Sequence, residues 1–263
     1  MSDDVQVHAV RFATNETTRS GNYLRYGVYG QPDATFNIDY FFWVIRGAHG
    51  VMVLDTGFDR PVAGRRGQQH LATMTEGLAA VGVTPADVRT VVLSHLHFDH
   101  VGNLELFGEA ELVAQADELD FWSSAMASRA MYASVAEDSY LEAVRKADAE
   151  GRVRRISGDV DLADGVTAIS LTGHTPGQQG LRIAGTHGVV LASDAVHFYD
   201  ELRHDMPFVI VHDLADMYRT YDRLRAMEAA GDVVVPGHDA AVAERFPTTP
   251  FGDGGLVVDL TPH

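Results

Sequence analysis

Short runs of β-branched and aromatic residues recur along this chain, at 5–12, 40–45, 51–54, 91–93, 111–114, 166–171, 188–191 and 233–235, and each predicts a strand. Other stretches carry a helical period. Residues 68–81 and 212–230 place their apolar positions on one face, and in the second Leu214, Met217, Tyr221, Leu224 and Met227 repeat at that spacing. Thr84-Pro85-Ala86-Asp87 supplies an N-cap, a proline at the first helical position and an acid at the third, so a short helix begins there and leads into a strand at 90–93. Strands and helices alternate without a linker or a repeat, which predicts one layered α/β domain over residues 1–263.

Two segments depart from the alternation. Residues 117–151 are helix-prone and carry Phe121, Trp122, Met126, Met131, Tyr132 and Tyr140. They read as a helical insertion, either a lid over a site or a helical pair packed on its own aromatics. The tail 251–263, with Gly252, Gly254 and Gly255, reads as an arm docking on a neighbour or as a frayed end.

Composition narrows the chemistry. With 263 residues, 46% of them hydrophobic, the chain can bury a full core. Its 20 basic side chains against 37 acidic ones give a formal charge of -17, which repels phosphate backbones and anionic lipid surfaces. Nucleic acid and membranes are therefore not expected as partners, and the acidic surface reads as a device for solubility. The chain has no cysteine, so it has no disulfide, no thiolate ligand and no thiol nucleophile. Any metal chemistry must rest on histidine and carboxylate. The first ten residues, MSDDVQVHAV, are acidic where a secretory signal is basic, and no stretch approaches the roughly 20 apolar residues of a membrane span. A soluble, cytoplasmic protein is expected.

The densest chemistry lies at Ser94-His95-Leu96-His97-Phe98-Asp99-His100, just after a predicted strand. A loop leaving a strand turns alternate side chains toward one point, so His95 and His97 can bind one ion, with Asp99 and His100 placed to reach a second. Imidazole and carboxylate suit divalent zinc, the first choice, or manganese, cobalt or iron(II). Three later strands also end on ligand-type residues: Gly173-His174-Thr175-Pro176-Gly177, Ser193-Asp194 and Pro236-Gly237-His238-Asp239. Singly, each is an ordinary turn residue or cap. Jointly they mark a site at a sheet edge.

These stretches follow the order of the HxHxDH, GHTPG, SDA and PGH signatures, and with Leu54-Asp55-Thr56-Gly57 the chain resembles the metallo-β-lactamase superfamily over nearly its whole length. The resemblance implies an αββα sandwich in which His95, His97 and His174 bind one metal, Asp99, His100 and His238 bind the other, and Asp194 bridges both. Asp55 would steady ligands rather than bind. Asp194 stands where thiolate-using β-lactamases have cysteine, and His97 where flavodiiron proteins have glutamate. The run 94–103 is most similar to the N-acyl homoserine lactonases.

That subgroup usually has a tyrosine three residues after the bridging aspartate; this chain has His197, with Tyr199 as a neighbouring substitute. By resemblance, water activated between two divalent ions opens a lactone or cyclic ester, His197 or Tyr199 stabilises the oxyanion, and Asp99 shuttles the proton. The alternative is another ester or thioester hydrolase on the same centre, glyoxalase-II-like or a catabolic lactonase. A one-metal dioxygenase would not use the full second ligand set, and a nuclease would need a basic surface. A homodimer stays open. Candidate pocket residues are Tyr40, Phe41, Phe42, Phe98, Trp122, Met206 and Phe208.

Overall fold

The strand-forming runs of the sequence segregate into two sheets in the computed structural model, which describes residues 5–262. The first sheet begins with β1 (Gln6–Thr18), β2 (Thr35–Gly47), β3 (Gly50–Leu54) and the two-residue β4 (Gln69–His70), and continues through β5 (Val88–Val92), β6 (Glu111–Gln115) and β7 (Val153–Ile156). The chain then builds the second sheet from β8 (Val160–Ala163), β9 (Val166–Ser170), β10 (Gln179–Ile183), β11 (Val189–Ser193) and β12 (Val233–Pro236). It returns to the first with β13 (Thr248–Phe251) and β14 (Gly255–Asp259). The spatial orders are β13-β14-β1-β2-β3-β5-β6-β7, with β4 on β1, and β12-β11-β10-β9-β8.

The residues of β2 show why two sheets stack. Residues 38–45 are all buried, and successive side chains enter different cores, as the two-residue period of a strand requires. Phe41, Trp43 and Ile45 meet Leu181, Leu191 and Val235 of the second sheet, while Tyr40, Phe42 and Val44 face Met74 and Leu78 on the outside. On the far side of the second sheet, the helix Leu214–Ala229 packs Met217, Tyr221 and Leu224 against Ile169, Leu171 and Val190. The layering is helix, sheet, sheet, helix, as the family resemblance implied. Among the described residues no helix is long and apolar enough to cross a membrane.

Several boundaries differ from the sequence reading. β1 runs past residue 12 to Thr18 because its polar second half pairs with the start of β2, down to Thr18 opposite Thr35. The stretch 68–81 is not one helix. β4 takes its start, and a reciprocal cap between Thr73 and Glu76 begins the helix Met74–Ala80. Residues 84–87 form a single 3₁₀ turn, Pro85–Asp87. The segment 117–151 contains the helices Ala116–Trp122, Ala130–Ala133 and Asp138–Ala149, the last burying Tyr140, Leu141, Val144 and Ala147.

The tail is corrected most. Residues 251–262 are neither a docking arm nor a frayed end: β14 pairs with β1 over four residues and with β13 in a hairpin, and Leu260 donates its N–H to Val7 O at 2.8 Å. His263 lies outside the described residues. Because the Leu260 side chain is buried between the sheets, Leu260→Ala is expected to cost about 2–5 kcal/mol in urea unfolding, where a frayed residue would cost almost nothing.

Candidate metal centre

Neighbouring strands end at one edge, and their last residues turn inward. β3 delivers Asp55, β5 leads through Leu93 and Ser94 to His95, β9 leads to His174, β11 delivers Asp194 and β12 leads to His238. Asp55 and Ser193 hold left-handed backbone conformations, φ 62° and 47°. Each costs about 1–3 kcal/mol for a residue with a side chain, so the surroundings must enforce it. They do so through Asp55. Its carboxylate accepts from Ser94 N (2.8 Å), Ser94 Oγ (2.8 Å) and Ser193 Oγ (3.1 Å), and lies 2.8 Å from His100 Nδ1.

All seven residues picked as ligands converge. His95, His97, His174 and Asp194 form one group, and Asp99, His100, Asp194 and His238 another, with the donor atoms of each group all within 4.8 Å of one another. Asp194 belongs to both. Its Oδ1 lies 3.2 Å from His100 Nε2 and 3.0 Å from His238 Nε2; its Oδ2 lies 3.4 Å from His174 Nε2 and 3.8 Å from His95 Nε2. His97 Nδ1 faces His174 Nε2 at 3.0 Å.

The outward nitrogens are occupied. Nδ1 of His95 meets Ser94 Oγ (3.0 Å), that of His100 meets Asp55, that of His174 meets Ile210 O (2.9 Å), and that of His238 meets Asp39 O (2.8 Å). A carbonyl only accepts, so His174 and His238 donate from Nδ1 and keep a lone pair on Nε2, aimed at the centre. Inside, His95 Nε2, His100 Nε2 and Asp194 Oδ1 are buried without a hydrogen bond of acceptable geometry. Orphaned acceptors crowded into one buried space fit divalent cations and little else.

The titration behaviour agrees. Burial holds His95, His97 and His174 below the usual imidazole range, His97 at about 4, so all three are neutral and ligation-ready. For Asp194 burial alone would raise the carboxyl, but His100, His238 and His197 around it hold it well below the ordinary range. In His100 burial is outweighed in the opposite sense by Asp194, Asp99 and Asp55.

The two residues expected on the oxyanion part company. His197 lies in the cluster: Nε2 is 3.0 Å from Asp194 Oδ2, Nδ1 is 3.3 Å from Glu201 Oε1, and the ring stacks on Phe208 at 3.6 Å between centroids. Tyr199 does not reach it. Its backbone N–H donates to Asp239, its ring sits 3.6 Å beneath the Arg245 guanidinium, and it lines a separate cavity with Arg19 and Arg203. Helix Tyr199–His204 starts immediately after Phe198 and turns its first side chain away. Tyr199 is thereby removed from the site.

Two cavities adjoin the cluster. One is polar, bounded by Asn22, Tyr40, Gln68, Phe98, Asp99, Asp194, His197, Phe208 and His238. The other is apolar, with His97 and His174 at its base and Phe121, Trp122, Tyr132, Val209, Ile210 and Val211 as walls. Of the expected pocket residues, Tyr40, Phe98, Phe208 and Trp122 line these spaces, while Phe41, Phe42 and Met206 are core. Three buried carboxylates escaped the sequence reading: Asp39, which accepts from Arg11 and Thr14, and Glu118 and Glu201, which brace the loops of the cluster. Glu201 accepts from the N–H groups of His197 (2.9 Å) and Phe198 (3.1 Å) and from Tyr221 Oη; Glu118 accepts from Leu96 N and Gly177 N. A carboxylate inside an apolar helical face was the only signal of Glu118 and Glu201.

Residues 40–238 match the model of the metallo-beta-lactamase superfamily. The chain belongs to this superfamily. Among its curated relatives, the N-acyl homoserine lactonase AiiB of Agrobacterium fabrum (strain C58) is 34% identical over 176 residues, 63% of this chain, and the match spans 62% of that relative's length. The N-acyl homoserine lactonase of Bacillus thuringiensis is 25% identical over 193 residues, 67% of this chain and 72% of its own. The fold of this superfamily member also matches solved structures. An N-acyl homoserine lactone hydrolase with N-hexanoyl-L-homoserine at its catalytic metal centre superposes with a TM-score of 0.76 at 19% identity, covering 96% of this chain and 100% of that one. The dizinc quorum-quenching lactonase AidC gives 0.73 at 15% identity, covering 100% and 96%.

Within this superfamily fold, the centre's dependence on Asp55 is testable. Asp55→Asn leaves too few acceptors for Ser94, Ser193 and His100, and metal affinity measured by chelator competition should fall about 10- to 100-fold. Unchanged affinity would show that the network does not orient the ligands.

Proposed function

We propose that this protein is a dinuclear metal-dependent hydrolase that opens lactones, N-acyl homoserine lactones foremost. The observation that carries the reading is the seven-residue cluster, buried at the foot of an apolar cavity. In it, His95, His97 and His174 would hold one ion and Asp99, His100 and His238 a second, with Asp194 common to both groups. Five imidazoles and two carboxylates without thiolate favour zinc. Two such cations, when bound, make water nucleophilic at neutral pH and polarise an ester carbonyl.

The chain's own residues do the rest. Overall, water adds across the acyl C–O bond and the ring opens to a single product that carries both the new carboxylate and the alcohol, with one proton released. Asp99, at the rim of the polar cavity and 3.6 Å from His238 Nε2, carries the proton toward the departing alkoxide oxygen. His197, steered by Glu201 on one side and flat against Phe208 on the other, presents a ring N–H to the carbonyl oxygen as charge develops there. Phe121, Trp122 and Tyr132 of the segment 117–151, with Val209 to Val211 opposite, wall a space for an apolar acyl chain, and that segment covers the site on this side. The similarity to N-acyl homoserine lactonases supports the substrate class.

Chelation should abolish hydrolysis of an N-acyl homoserine lactone, and zinc should restore it. A chain that turns over thioesters or aryl esters faster than any lactone belongs instead to the glyoxalase-like or general esterase reading. His197→Phe should lower kcat on the order of 100-fold with metal content unchanged, as loss of an oxyanion donor does. An unaltered kcat removes His197 from the reaction.

A further inference from the structure

We infer that Glu118 is a positioning residue, clamping the loops that carry His97 and His174 into one half-site and tying that half-site to the wall of the apolar cavity. The inference rests on reading the cluster as a metal centre. Glu118 is 1% exposed, and among the described residues no arginine, lysine or histidine lies within ion-pairing distance of it. A buried carboxylate without a counter-cation is expensive and persists only where its hydrogen bonds compensate. Those bonds run to three places. Oε1 accepts from Leu96 N (2.9 Å), the residue between His95 and His97, and from Trp122 Nε1 (2.7 Å); Oε2 accepts from Gly177 N (2.9 Å), three residues after His174.

The local geometry is built for this contact. A side chain at Gly177 would put its Cβ 2.4 Å from Glu118 N, so only glycine lets the loop come close enough to donate. Neither loop N–H belongs to a sheet ladder, and one carboxylate satisfies both, where a neutral amide offers a single acceptor oxygen. The consequence falls on His97 and His174, whose facing nitrogens are 3.0 Å apart and whose spacing those two loops set. Trp122 extends the clamp outward. Its indole is held by Glu118, its ring stands perpendicular to that of His97 at 5.7 Å, and its far side lines the apolar cavity.

The test is a cobalt(II) titration of the wild-type chain and Glu118→Gln, followed by d–d absorption and chelator competition, with melting temperatures of both metal-free proteins. Wild type should take two ions. In Glu118→Gln the affinity of one ion should fall about 10- to 100-fold while the other keeps its wild-type value. Two wild-type affinities in the variant overturn the inference. So does a parallel loss at both sites that follows a lowered metal-free melting temperature, because that marks a purely structural carboxylate. A wild-type chain that takes up no ion overturns the metal-centre reading itself, and with it this inference.

Discussion

Lone pairs and negative charge packed into one buried space are the constraint on which the rest of this structure depends. Seven donor side chains from four separate loops meet at the edge of the sheets, nearly all fully buried, with inward nitrogens and an aspartate oxygen that no protein donor satisfies. Such an arrangement is unstable unless cations fill it or the fold forces it together. This fold does force it. The sheets bring five strand ends to one edge, the left-handed residues Asp55 and Ser193 turn the chain inward there, and outward nitrogens of the histidines are tied to carbonyls, a serine and a carboxylate.

Around this centre the chain divides its labour by side. On the polar side, Asp99, Asp194 and His197 border a space whose other walls include the amides of Asn15, Asn22 and Gln68 and the hydroxyls of Thr17 and Tyr40. On the apolar side, the 117–151 segment and Val209 to Val211 offer hydrocarbon surface directly against His97 and His174. His212 N donates to Gly173 O and His174 O, and Ile210 O receives His174 Nδ1, so hydrogen bonds tie the cavity wall to His174 and its loop.

The candidate ligands were legible because metal binding demands particular atoms, and those atoms occur in particular residue types at the ends of strands. The alternation of strands and helices made a layered α/β domain legible, while the two-sheet sandwich was an expectation that came with the family resemblance. What escaped depends on long-range pairing. The polar residues 13–18 are a strand only because the start of β2 lies opposite, and the glycine-rich tail is a hairpin only because β1 offers an edge. His197 stands at the position where the resemblance expects a tyrosine and Tyr199 was its neighbouring substitute; the helix that starts after Phe198 turns Tyr199 away. Glu118 and Glu201 carry no motif; their meaning comes from the loops that approach them in space.

The most direct measurement is an anomalous-difference map from crystals grown with zinc. The account predicts two peaks about 3.5–4 Å apart, with Asp194 between them, His95, His97 and His174 around one and Asp99, His100 and His238 around the other. A single peak, or zinc bound elsewhere with His174 or His238 turned out of the cluster, would contradict it.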